Sequence, residues 1–138
     1  MPALPISILE TCLYVDDLAT SREFYTRVFE FQEIAGDDRF CVFQVRKGQL
    51  LLLFRKGATS EIAELPFGNI PPHDGETGGH LGFAIPADQL TAWIDRLALQ
   101  EIPIESQITW PLGGTSLYFR DPSGNLLEVL TPGVWPTY

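Results

Sequence analysis

The chain has 138 residues, 45% of them hydrophobic, and a formal net charge of −9. That length supports one domain with a real core, and the acidic balance argues against nucleic acid and anionic membrane, both of which are held by clustered Lys and Arg. No basic-then-apolar leader is visible and no apolar run approaches the roughly 18–20 residues of a membrane span, so a cytoplasmic protein is expected.

After a stiff Met1-Pro2-Ala3-Leu4-Pro5 lead-in, alternation predicts a strand over Ile8 to Val15. Asp16 or Asp17 offers an N-cap for a helix running to Phe29 or Glu30, with Leu18, Ser21, Phe24, Tyr25 and Val28 on one face. Three strands follow, Gln32 to Ala35, Arg39 to Arg46 and Gln49 to Arg55, separated by the turn residues Gly36-Asp37-Asp38 and Lys47-Gly48. Residues 57–78 are rich in Pro and Gly, have no usable periodicity, and read as a linker and a covering loop. The two cysteines, Cys12 and Cys41, both fall in strand-like runs and are expected to be small buried hydrophobes rather than a disulfide.

The same order then repeats: a strand from His80 to Ile85, a helix from Ala87 to Gln100 with Leu90, Trp93, Ile94 and Leu97 on its apolar side, and strands over Ile104 to Thr109, Thr115 to Arg120 and Asn125 to Leu130. The repeat is sharpest in the last strands, where Gly48-Gln-Leu-Leu-Leu-Leu-Phe54 matches Gly124-Asn-Leu-Leu-Glu-Val-Leu130 and Leu52 stands where the second copy has Glu128. The expected fold is therefore α+β, two βαβββ modules (about 6–56 and 79–132) paired in a half-open barrel within one domain of residues 1–138. An aromatic tail, Trp135-Pro136-Thr137-Tyr138, is expected to pack.

Residues two apart on a strand share a face. With Leu13 and Val15 packed on the first helix, Glu10, Cys12 and Tyr14 turn inward, and by the same logic so do Leu50, Leu52, Phe54, His80, Gly82, Leu126, Glu128 and Leu130. Two carboxylates, Glu10 and Glu128, in an apolar cavity need a compensating positive charge. Arg120 reaches at most one of them. A divalent cation would serve both and take His80 as a neutral nitrogen ligand, leaving positions open for water or substrate.

The chain also resembles the vicinal oxygen chelate superfamily, which includes glyoxalase I, extradiol dioxygenases, methylmalonyl-CoA epimerase, and fosfomycin and bleomycin resistance proteins. The residues that carry the resemblance are Leu13-Tyr-Val-Asp-Asp-Leu18 with Ser21 and Phe24-Tyr25, Gly79-His-Leu-Gly-Phe83, and Tyr118-Phe-Arg-Asp-Pro-Ser-Gly-Asn125 with Glu128. The resemblance implies metal ligands at Glu10, His80 and Glu128. At the fourth ligand position Leu52 cannot bind a metal, a departure from the glyoxalase I arrangement. It further implies that Tyr118 and Ser116 face the substrate, and a homodimer in which Glu10 comes from one subunit and His80 with Glu128 from the other.

The resulting expectation is an enzyme of glyoxalase or dioxygenase type, a lyase, isomerase or ring-cleaving oxygenase, that uses Mn²⁺, Fe²⁺, Ni²⁺ or Zn²⁺ and binds a small molecule through two vicinal oxygens. Tyr118, Ser116, Trp110, Phe54, Leu52 and Arg120 are the expected substrate-binding residues, and Glu128 and the loop residue His73 the catalytic ones. No Lys or Arg occurs from Gln100 to Phe119, so a cationic phosphonate clamp is not expected there. The alternative is a metal-free protein that sequesters a drug or metabolite, as bleomycin resistance proteins do, with Trp110, Trp135 and Tyr138 around a large cationic ligand.

Overall fold

A computed structural model describes all of residues 1–138. The chain divides into two compact units, Met1–Thr77 and Gly78–Tyr138. The first contains β1 (Glu10–Val15), α1 (Leu18–Phe29), β2 (Gln32–Gly36), β3 (Phe40–Arg46), β4 (Gln49–Arg55) and a small hairpin of β5 (Ala63–Leu65) and β6 (Gly68–Ile70). The second contains β7 (His80–Ala84), a 3-10 turn at Ala87–Gln89 leading into α2 (Leu90–Leu99), then β8 (Ser106–Thr109), β9 (Thr115–Arg120) and β10 (Leu126–Leu130). No helix is long and apolar enough to cross a membrane.

The strand orders are β1-β4-β3-β2 and β7-β10-β9-β8, so each unit has the same four-stranded mixed sheet, and neither sheet closes on itself. In each, the first and last strands run parallel, which requires the helical crossover between them. The register repeats as well. Glu10 lies opposite Leu50 as His80 lies opposite Leu126, and two residues on Leu52 faces Cys12 as Glu128 faces Gly82.

Helix α1 forms because Asp17 caps it, its carboxylate accepting from the Thr20 amide at 3.0 Å, and because Leu18, Ser21, Phe24, Tyr25, Val28 and Phe29 make a continuous buried stripe. That stripe packs with the outward residues Leu13, Val15, Phe43, Leu51 and Leu53, all buried. In the second unit Leu97, Leu117, Phe119, Leu127 and Val129 are fully buried. After each helix the chain turns through a left-handed glutamate, Glu30 (φ 58°) and Glu101 (φ 57°), so the copies share a termination device that usually falls to Gly or Asn.

Several boundaries differ from expectation. Strand β1 starts at Glu10 rather than Ile8, since the segment before it makes a single ladder bond, Leu50 N–H to the Leu9 carbonyl at 2.8 Å. Helix α2 starts at Leu90 because Pro86 leads in without a side-chain cap, and the first turn tightens to 3-10. Strand β8 starts at Ser106 because the Ile102 amide is spent on the Leu97 carbonyl at 2.9 Å and Pro103 has no amide. The 57–78 stretch, expected to lack regular structure, contains β5 and β6, three-residue strands too short for alternation to register. Cys12 is exposed, unlike buried Cys41, because it shares the face of Glu10 and Tyr14 rather than that of Leu13. Of the aromatic tail, Tyr138 packs as expected, its hydroxyl directed at the Leu130 and Ile85 carbonyls at 2.9 and 3.2 Å, whereas Trp135 stays exposed.

Candidate functional site

In the second unit the site begins with a turn. Asp121 accepts from the amides of Ser123 (3.0 Å) and Asn125 (2.9 Å) through one oxygen and from the Asn125 side-chain amide (2.9 Å) through the other. The Asn125 side-chain oxygen accepts from the Gly79 amide at 2.8 Å, while the Leu126 amide donates to the Gly79 carbonyl at 2.8 Å. Asp121 and Asn125 are buried, so this network sets the start of β7 against the start of β10. The Asp-Pro-Ser-Gly-Asn motif is therefore what brings His80 and Glu128 together.

Glu128 is buried at 6% exposure in the middle of β10. The His80 Nε2 atom lies 3.2 Å from its Oε1, and His80 Nδ1 lies 2.9 Å from the Leu126 carbonyl. A carbonyl only accepts, so Nδ1 carries the proton. In the neutral ring Nε2 is then a lone pair that faces a carboxylate oxygen, two acceptors with no hydrogen between them. That arrangement repels unless a cation stands between them, either a proton held by the imidazole or the carboxyl group, or a metal ion. Metal–ligand distances of about 2.0–2.2 Å to His nitrogen and carboxylate oxygen accommodate a separation of this size. The donor set fits a borderline divalent ion.

Gly82 faces Glu128 across the strands, and a Cβ there would stand 3.6 Å from the carboxylate and 3.2 Å from Leu130. Tyr118 is the antiparallel partner of Glu128, and its ring stacks 6.3 Å from that of His80. Burial, followed by the Glu128 charge, pushes the Tyr118 phenol pKa up, so the phenol stays a proton donor. Ser116, buried two residues away, accepts from Trp110 Nε1 at 2.8 Å. Trp110, Ser116 and Tyr118 thus belong to the same face. A cavity of about 380 Å³ opens beside His80, Gly82 and Glu128, walled by Trp135 and Tyr138 of the tail. Arg120 does not meet the buried carboxylate. It pairs with Glu105 at 2.7 and 3.1 Å and donates to the Gly124 carbonyl at 3.1 Å, because its own cross-sheet neighbour supplies a nearer anion.

The first unit has its own cavity, of about 590 Å³, bounded by Glu10, Leu52 and Phe54 of the sheet, Arg39 at its rim, and the 57–77 segment folded over it. His73 comes from that segment. Its ring is edge-on to Phe54 with centroids 4.7 Å apart, and its Nδ1 is 2.5 Å from the Tyr14 hydroxyl. Glu10 is exposed on β1 and Leu52 half-buried on β4. No three His, Cys, Asp or Glu side chains are gathered into one ligand group. Sequence reasoning missed Tyr14 and Thr59 as partners of His73. The alternation put Tyr14 on the inward face, but nothing local connects residues 59 positions apart.

Comparison with known proteins agrees with this architecture. The model of the Glyoxalase/Bleomycin resistance protein/Dioxygenase superfamily matches residues 7–129. A crystal structure of lactoylglutathione lyase from Agrobacterium tumefaciens is 34% identical, with 96% of this chain and 98% of that chain covered and a TM-score of 0.86. An integron cassette protein from the mobile metagenome of V. Pseudocholerae is 28% identical over 94% of this chain and 98% of that one, at a TM-score of 0.69. The fosfomycin resistance protein FosX from Listeria monocytogenes shares the fold at 19% identity, 93% and 94% coverage and a TM-score of 0.69. No curated protein matches by sequence. With the duplicated βαβββ register, the His80–Glu128 pair and a family match over most of its length, the chain belongs to the Glyoxalase/Bleomycin resistance protein/Dioxygenase superfamily.

Proposed function

We propose that the protein is a metal-dependent enzyme acting on a small molecule with two neighbouring oxygens, and that Glu10, His80 and Glu128 are its metal ligands. The observation that carries this reading is the pair of facing acceptors, His80 Nε2 and Glu128 Oε1 at 3.2 Å, with the Nδ1 proton already committed to the Leu126 carbonyl. A divalent ion bound there would supply Lewis-acid stabilisation of negative charge on the two substrate oxygens. The chain's own residues do the rest. Tyr118, kept protonated, donates a hydrogen bond toward the site, Trp135 gives a flat apolar wall, and Leu52 and Phe54 line the first unit's cavity. Lyase or isomerase chemistry is the first choice, given the name of the 34%-identical relative, with ring cleavage second. We further propose that the chain forms a homodimer, and that Glu10 joins His80 and Glu128 of the partner subunit.

The test is metal content of the protein purified without chelator, followed by uptake of Mn²⁺, Fe²⁺, Ni²⁺ and Zn²⁺ and a screen of vicinal diols, hydroxyketones and catechols with the ion found. About one ion per chain, lost in Glu128→Ala, supports the proposal. No uptake of any of the four ions overturns it, in favour of a protein that only sequesters its ligand.

A further inference from the structure

Neither unit offers its cavity an uncompensated cation. Of the residues bounding the first unit's cavity and the cavity beside His80, Arg39 is the one Lys or Arg. Its guanidinium lies 6.0 Å from the centroid of the Phe40 ring and is already engaged, Nη2 and Nε donating to Asp37 Oδ2 at 3.0 and 3.3 Å. Asp37 divides two tasks between its two oxygens. Oδ1 accepts from the Arg39 and Phe40 amides at 2.8 and 3.3 Å, which shapes the turn between β2 and β3, and Oδ2 holds the guanidinium. The second unit repeats the device elsewhere. Arg120 shares the face of Tyr118 on β9, and Glu105 holds it through both oxygens at 2.7 and 3.1 Å.

What remains around the cavities is apolar or acidic. In the first unit Phe40 and Phe54 stack with centroids 6.0 Å apart, Leu52 and Ile70 extend that wall, and Glu10 and Glu61 stand on the boundary. Beside His80 the walls are Trp135 and Tyr138, with the small residues Gly82 and Ala84 between the strands' larger ones. A divalent ion held by two carboxylates and a neutral imidazole is a centre of zero net charge, so it adds no general attraction for anions. A carboxylate or phosphoryl group on the substrate would exchange water for a region where each guanidinium has its own anion and Glu61 adds repulsion. An uncharged flat apolar group gains from the same transfer.

We infer that the substrate has an uncharged or cationic apolar body, aromatic in shape, and that Asp37 and Glu105 are specificity-determining residues that disfavour anionic bodies by neutralising Arg39 and Arg120. The inference rests on the metal-enzyme reading above for the vicinal oxygens and adds the chemistry of the part of the substrate that does not meet the metal.

Three catechols, alike in ring and chelating oxygens but different in charge, test it: ethylcatechol, dopamine and dihydroxyphenylacetate. Their affinities are read by ligand-observed NMR on the metal-free and on the Zn²⁺-loaded protein. Ethylcatechol and dopamine should each bind about tenfold more tightly than dihydroxyphenylacetate, with or without the ion. Asp37→Asn keeps an oxygen for the turn and puts an amide, which cannot accept, where the guanidinium was held. That variant and Glu105→Gln should each narrow the gap to about threefold. Glu23→Gln makes the same change of net charge while releasing Arg27 on α1, and should leave the gap unchanged. An anion bound as tightly as ethylcatechol, a gap unmoved by both variants, or no binding of any of the three overturns the inference. Zn²⁺ uptake with a preference for the anion would sink it and leave the metal reading standing, whereas the stated ratios without any uptake would do the reverse.

Discussion

The two units have one backbone plan and two chemistries. Strand order, parallel pairing and residue register repeat from β1–β4 to β7–β10, so corresponding side chains stand at corresponding places. The second unit puts a buried carboxylate and an imidazole on that frame, while the first puts Glu10 beside Leu52 and folds the 57–77 segment over its inner face. The last hairpins differ too. Both turns end on a left-handed glycine, Gly48 (φ 78°) and Gly124 (φ 86°), but β3 and β4 are joined simply through Lys47-Gly48. β9 and β10 are joined by the buried Asp121–Asn125 network. The lesson is that duplication supplied equivalent positions, and that the asymmetry of the site comes from which side chains occupy them.

The largest effect is expected where the units differ most. Glu128→Ala should weaken metal binding by more than the roughly 10–100-fold that loss of an outer-shell partner brings, read by metal titration. Glu128→Leu, which copies the residue of the first unit, should abolish binding equally while leaving thermal stability at or above that of the metal-free parent, since it removes a buried carboxylate. A Leu variant that still binds the ion would end the equivalence of Leu52 and Glu128 as an explanation.

The turn comparison comes next. Asn125→Ala strips the Gly79 amide and Asp121 of partners and should cost about 2–3 kcal/mol in urea unfolding. Lys47→Ala, in the corresponding turn, should stay within about 0.5 kcal/mol. The reverse exchange, Leu52→Glu, places a carboxylate in the first unit two residues from the partner of Glu10 and should destabilise by about 1–2 kcal/mol. If added Zn²⁺ restores that loss, the first unit can be converted toward the chemistry of the second.

The smallest effect concerns the thiols. Burial pushes the Cys41 thiol pKa up to about 11, which suppresses its thiolate near neutral pH. Cys12 is exposed, with its pKa also raised, first by desolvation and then by the Glu10 charge. Iodoacetamide should therefore label Cys12 slowly and Cys41 only on unfolding, as read by peptide mass mapping. Equal labelling in the native protein would contradict the assigned face of β1.

Much of this was legible before the structure because it follows from local periodicity. The apolar stripe of α1 and its Asp17 cap, the alternation of β1, β4 and β10, and the repeat of Gly48–Phe54 in Gly124–Leu130 are patterns within a dozen residues, and each marks a face. Those faces sufficed to put Glu128 and His80 on the same side of their sheet. The failures have different causes: three-residue strands in the 57–78 stretch hold too few alternations to read, and Arg120 met Glu105 because the chain just before β8 pairs with β9, which no window along the chain reveals.

The sequence by itself determined the duplicated module, the Asp17 cap of α1 and the alternation of faces along the strands, because backbone periodicity and side-chain polarity act over a few residues. Only the tertiary structure decided which of those residues meet. The 3.2 Å approach of His80 to Glu128 depends on the parallel register of β7 and β10, which the Asp121–Asn125 network sets across 46 residues. The seating of His73 on Tyr14 and Phe54 depends on how a Pro- and Gly-rich segment folds back over a sheet. Both are contacts between distant parts of the chain, fixed by packing and hydrogen-bond satisfaction rather than by local preference.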